Sequence, residues 1–119
     1  MPRVTVKSNI LGHNEKTALG PVIQKIVAEA LDGDDDESRL LPSNIEVEFK
    51  EIGPYDLNFP PVSVVVLAND YPCRRSDLQA RTTQIAKALR EHEAFPDEAL
   101  QTTEGFVWVL LCPAGFEHI

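Results

Sequence analysis

Val4 and Val6 alternate with Arg3, Thr5 and Lys7, the two-residue period of a strand with one buried face, and predict a first strand over about residues 2–8. Ile45, Val47 and Phe49 alternate with Glu46, Glu48 and Lys50 and predict another with one wet face. Residues 62–68, apart from Ser63, and residues 106–112 do not alternate but are apolar, as strands covered on both faces are. Between them the period changes. Ala18, Leu19, Val22, Ile23, Ile26, Val27, Ala30 and Leu31 recur at three and four, one apolar stripe on a helix. Asn14 is placed to cap it. Gly20-Pro21 leaves two versions open: a helix that begins near Leu19 with Pro21 in its first turn, or one bent there. Leu78, Thr82, Ile85, Ala86 and Leu89 line a second helix, with Ser76 and Gln79 at capping-box spacing. Residues 32–38, 53–61 and 93–105 read as loops.

The order is β-α-β twice. Pro2-Arg3-Val4-Thr5-Val6 can be laid on Pro60-Pro61-Val62-Ser63-Val64, so residues 1–119 are expected to form a single α+β domain of two pseudo-repeats, about 2–52 and 60–112. Each unit closes right-handedly with parallel strands, which predicts a four-stranded mixed sheet with both helices on one face. The chain has no element left to cover the other face, and a further copy of the subunit is the expected cover. A ferredoxin-like monomer is the competing arrangement.

The 119 residues are 43% hydrophobic and 25% charged, ordinary for a globular domain. A formal net charge of −8 argues against nucleic acid and anionic membranes as partners, and no apolar run is long enough to span a bilayer. A soluble, cytoplasmic protein is expected. Cys73 and Cys112 form no CxxC pair and are expected to be reduced. The acidic run lacks the EF-hand glycine and glutamate, with Glu37 and Ser43 in their places. His13, His92 and His118 have no ligand spacing, and no phosphate-binding glycine loop is present, so neither a metal nor a cofactor is expected.

Two stretches carry candidate chemistry. Once Met1 is removed, Pro2 is a secondary amine held by its own ring at the head of a strand, a candidate general base; alternatively it only opens the strand, where a missing N–H costs nothing. Cys73-Arg74-Arg75-Ser76 precedes the second helix. Its arginines either fork a substrate carboxylate or are surface charges of an acidic protein, and beside them Cys73 is a candidate thiolate. A guanidinium near Pro2 would disfavour the charged amine, and a neutral base suits enolisation beside a carbonyl. Tyr55 and Phe59 are candidates for an aromatic wall over a pocket, or simply pack their loop.

A duplicated β-α-β chain of this length that starts Met1-Pro2 and leaves a sheet face for partners resembles the tautomerase superfamily, which includes oxalocrotonate tautomerase and macrophage migration inhibitory factor. Cys73-Arg74-Arg75-Ser76-Asp77-Leu78-Gln79 looks like the arginine-bearing segment of its decarboxylase and dehalogenase branches. The resemblance implies a homotrimer and a cofactor-free tautomerase, or a related decarboxylase or dehalogenase, acting on a small keto or enol acid. Pro2 would be the acid/base, Arg74 and Arg75 would hold the carboxylate, and His13 would assist. It also marks departures. Ile10-Leu11-Gly12-His13 has His13 where the short tautomerases carry arginine, and Glu46 matches a second family arginine, which disfavours a dicarboxylate. Glu46, Glu48 and Glu51 are candidates for activating water. A non-catalytic trimer of the same fold is the alternative.

Overall fold

The computed structural model describes residues 2–35, 38–95 and 105–113. Its centre is β1 (Arg3–Ser8), with Val4, Val6 and Ser8 buried and the intervening residues turned the other way. β1 pairs in parallel with β2 (Glu46–Glu51), Val4 opposite Val47, and antiparallel with β3 (Val62–Asn69), Val4 opposite Val66. β3 in turn pairs in parallel with β4 (Phe106–Cys112). The four-stranded order is therefore β2-β1-β3-β4. Each helical crossover joins adjacent strands, whereas a ferredoxin-like sheet splits its β-α-β units.

α1 (His13–Leu31) is continuous through Gly20-Pro21 and starts one residue before Asn14, with Gly12 at the N-cap. The helix therefore does not begin near Leu19, and Pro21 lies in its interior and not in its first turn. Its buried stripe of Leu19, Ile23, Val27, Ala30 and Leu31 meets the sheet, and this burial outweighs the hydrogen bond that Pro21 cannot donate. A 3₁₀ turn (Pro42–Asn44) leads into β2, and Gln24 of α1 donates to the Ile45 carbonyl at 2.9 Å.

The second crossover begins with a short helix, α2 (Pro72–Arg75), before α3 (Leu78–Glu91). The capping box expected of Ser76 and Gln79 does not form. The Ser76 hydroxyl lies against the Cys73 carbonyl and Gln79 turns to Thr83, because α2 has already committed Ser76 to a helical C-cap. α3 presses Ile85 and Leu89 into the core, together with Val64, Val66 and Val109.

The other sheet face has two characters. Arg3, Thr5, Glu46, Glu48 and Lys50 occupy its β1–β2 half. Leu67, Phe106, Trp108 and Leu110 occupy its β3–β4 half, and Trp108 is 57% exposed. The Phe106 and Trp108 rings meet edge to face at 6.2 Å. Among the described residues, the apolar pattern of β3 and β4 therefore has one face covered and one that is exposed.

Candidate functional site

Strand direction determines which residues share an end of the sheet. β1 and β2 start where β3 and β4 finish, and α1 also finishes there. Pro2 lies at this end, buried, with its carbonyl accepting the Glu46 N–H at 3.1 Å. Arg3 faces Leu67 across the ladder, so Pro2 lies one step further, beside the end of β3 and the 69–75 segment. Pro2 and the two adjacent arginines are thus brought to one end of the sheet.

Those arginines differ. Arg74 is 1% exposed. Its Nε donates to the Leu31 carbonyl at 3.0 Å, Nη1 to Asn69 at 3.1 Å and Nη2 to Ser38 at 3.2 Å, and the Tyr71 ring lies 4.8 Å away. Burial holds its pKa below the usual arginine value, though arginine remains charged. Arg74 was expected at a substrate carboxylate; here its guanidinium is enclosed by backbone carbonyls at the end of α1. Arg75 is exposed, one turn position away, with its Nε on Asp70 at 2.9 Å. Its two terminal nitrogens have no partner among the described residues.

His13, Tyr55 and Phe59 lie elsewhere. His13 opens α1 and is exposed, at the end of the sheet where β1 finishes, and the six residues of β1 separate it from Pro2 by roughly 20 Å. The 53–61 loop is at that far end as well. Lys7 holds it, with Nζ 2.8 Å from Asp56 and 4.0 Å from the Phe59 ring centroid, while Tyr55 is 92% exposed. Within one chain these three residues do not meet Pro2. Glu46 is ion-paired with Arg3 at 2.9 Å, Glu48 accepts the Thr5 hydroxyl at 2.7 Å, and Glu51 lies 3.7 Å from Lys16. The Thr5 hydrogen bond holds the Glu48 carboxyl below its ordinary range.

Sequence reasoning passed over Arg81. Its Nε donates to Asp77 at 2.6 Å, Nη1 to the Ala30 and Asp32 carbonyls, and Nη2 to the Cys73 carbonyl. The i, i+4 spacing of Asp77 and Arg81 was the only signal in the sequence; the partners across the chain left none. Asp70 and Tyr71, which hold Arg75 and stack on Arg74, are likewise marked by no local pattern in the sequence. Cys73 and Cys112 are free thiols. Among the described residues, no His, Cys, Asp and Glu cluster is arranged to hold a metal, and no helix is long and apolar enough to cross a membrane. Met1, His118, Asp36, Glu37 and most of the 93–105 loop lie outside the described residues.

Two parallel β-α-β units are set antiparallel in one sheet, with both long helices on the same face, a fold shared with macrophage migration inhibitory factor-like and 4-OT structures. By sequence, no protein-family profile and no curated protein matches the chain. By structure, it is similar to a macrophage migration inhibitory factor-like protein from Entamoeba histolytica, at 10% identity over 98% of this chain and 96% of that one with a TM-score of 0.59. It is similar to a fused 4-OT solved as an asymmetric trimer, at 9% identity over 93% and 86% with a TM-score of 0.63. A third similar structure is Pt0534 inactivated by 2-oxo-3-pentynoate, at 18% identity over 93% and 85% with a TM-score of 0.57. At such identities the likeness is one of fold.

Proposed function

We propose that the protein is a cofactor-free tautomerase, or a closely related lyase or dehalogenase, acting on a small keto or enol monocarboxylic acid as a single-domain subunit of a homotrimer. The observation that carries this reading is the buried position of Pro2 at the sheet end that also bears Arg75, within a tautomerase-superfamily fold. With Met1 removed, the Pro2 nitrogen accepts a proton from the carbon next to the substrate carbonyl. The electrons of the C–H bond form the enol double bond, and the carbonyl oxygen takes the charge or a proton. Returning the Pro2 proton to carbon gives the keto form, so no redox step is needed. Arg75 holds the carboxylate through its two terminal nitrogens. His13, Tyr55 and Phe59 reach such a site only from a neighbouring subunit, which ties their role to the trimer.

The test is the enol–keto conversion of phenylpyruvate by the wild type and by Pro2→Ala, together with mass analysis of the mature amino terminus. Loss of at least about a hundredfold in kcat/KM is expected on removing the base; equal rates would overturn the proposal. A second reading, a non-catalytic trimer of this fold, is favoured by one feature: Arg74 is spent on backbone carbonyls. It predicts a retained Met1 and no turnover.

A further inference from the structure

Asp70 and Arg75 form an ion pair whose members are held unequally. The Asp70 side chain is 30% exposed and that of Arg75 is 63% exposed. The Asp70 N–H donates to the Cys112 carbonyl at 3.2 Å, so the end of β4 fixes the backbone that carries the carboxylate. The Arg75 N–H donates to the Tyr71 carbonyl at 3.0 Å, which fixes its place in α2 but not its long side chain, and ordering such a chain is entropically costly. The Asp70 Oδ1 accepts from Nε at 2.9 Å and orders it before any ligand arrives. The other guanidinium groups at this end are used differently. Arg3 gives both Nε and Nη2 to Glu46, and Arg74 and Arg81 give Nε and both terminal nitrogens to partners in the chain. Arg75 gives Nε alone. A guanidinium carries one N–H on Nε and four on its terminal nitrogens, so a group held by Nε keeps a two-nitrogen fork that fits a carboxylate.

We infer that Asp70 is a positioning residue for ligand binding: it does not touch the substrate, and by holding Nε it presets the Arg75 fork for an incoming carboxylate. The inference rests on the carboxylate-binding role proposed for Arg75. Charge and order act in opposite directions here. Asp70 is itself an anion, and its charge repels a carboxylate. Removing it should tighten binding if charge is all that it contributes. Removing it should weaken binding if it orders the fork, because the ligand must then order a mobile side chain as it binds.

The test is an NMR titration of the full chain, processed to Pro2, with benzoate, a monocarboxylate that cannot enolise. It is followed at the backbone amides of residues 69–75 and at the Arg75 Nε–H, with phenylpyruvate turnover measured in parallel. Asp70→Ala should raise the benzoate Kd and the phenylpyruvate KM by about three- to fivefold, while kcat stays within about twofold because the base is untouched. Asp70→Asn keeps an acceptor for Nε and should fall between Asp70→Ala and the wild type. Arg75→Gln should raise the Kd at least about tenfold, and adding Asp70→Ala to it should change nothing further, since the two residues act as one. Benzoate binding that is unchanged or tighter in Asp70→Ala, effects that add in the double variant, or no benzoate response at residues 69–75 in the wild type overturns the inference. If Asp70→Ala does not fold, as circular dichroism would report, Asp70→Asn and the wild-type Arg75 Nε–H decide: an Nε–H that exchanges with water as fast as that of free arginine overturns the inference. Benzoate binding that follows Asp70 without any turnover defeats the proposed function alone; Pro2-dependent turnover with benzoate binding indifferent to Asp70 defeats this inference alone.

Discussion

Arg74 and Arg75 are adjacent and chemically identical, yet one is enclosed among carbonyls and the other faces water with Asp70. The difference is one of angle: successive helical residues point about 100° apart, and in α2 that rotation separates the protein interior from the solvent. A similar contrast separates two glycines. Gly33 is buried, its N–H donates to the Ser38 carbonyl at 3.0 Å, and a Cβ there would overlap the Ser38 side chain and lie 3.1 Å from the Cys73 sulfur. Gly33→Ala should therefore destabilise by about 1–3 kcal/mol through overpacking. A Cβ at Gly20 would meet only the Phe49 ring, at 3.9 Å, inside α1. Gly20→Ala should stabilise by about 0.5–1 kcal/mol through helix propensity. Thermal unfolding of the two variants should show Tm shifts of opposite sign. The requirement at Gly33 is one of space, since no glycine among the described residues has positive φ, and space is not written in the sequence.

At the scale of elements, α1 ends with no basic residue in its last turn, and its final carbonyls are met by arginines from the second half of the chain. Arg81 reaches Ala30 and Asp32, and Arg74 reaches Leu31. The two β-α-β units are joined there by charge-assisted hydrogen bonds as well as by the sheet. The 53–61 loop is held differently, by the Lys7–Asp56 pair on the face away from the helices. The Lys7 hydrogen bond, and secondarily the Gly53 N–H, hold the Asp56 carboxyl below its ordinary range. A depressed carboxyl contributes stability that is present above its unfolded value and is lost as pH falls through the folded one. Acidification into and below the usual aspartate range should therefore release this loop. Hydrogen exchange across residues 53–61 should rise in that window, and Asp56→Asn should show the faster exchange at neutral pH with no acid step.

For the whole molecule, the exposed apolar half-face of β3 and β4 is the surface on which the proposed assembly rests. Leu67, Phe106, Trp108 and Leu110 form an apolar strip on a chain of net charge −8, and the proposed trimer buries it. The particle should have three times the 13.2 kDa chain mass in sedimentation, and Trp108→Glu should shift it toward the monomer while the helical signal is retained. A wild-type monomer would remove both the trimer and the shared site. The topology was legible beforehand because alternation and three-to-four spacing report which side of an element meets the core. The site was legible only in part. Pro2 and the arginine segment were recognisable as residue types, but His13, Tyr55 and Phe59 proved to lie a strand length away, a separation set by strand direction and not by spacing in the chain.

The sequence by itself determined the element types, their order and the apolar excess on β3 and β4, since these follow from local periodicity and from counting which faces a chain of this length can cover. Only the tertiary structure decided which of two neighbouring arginines is enclosed, how α1 is capped, and which end of the sheet each candidate occupies. Those outcomes depend on contacts between residues more than forty positions apart, such as Arg74 with Leu31 and Arg81 with Ala30, and no local pattern records a partner at that distance.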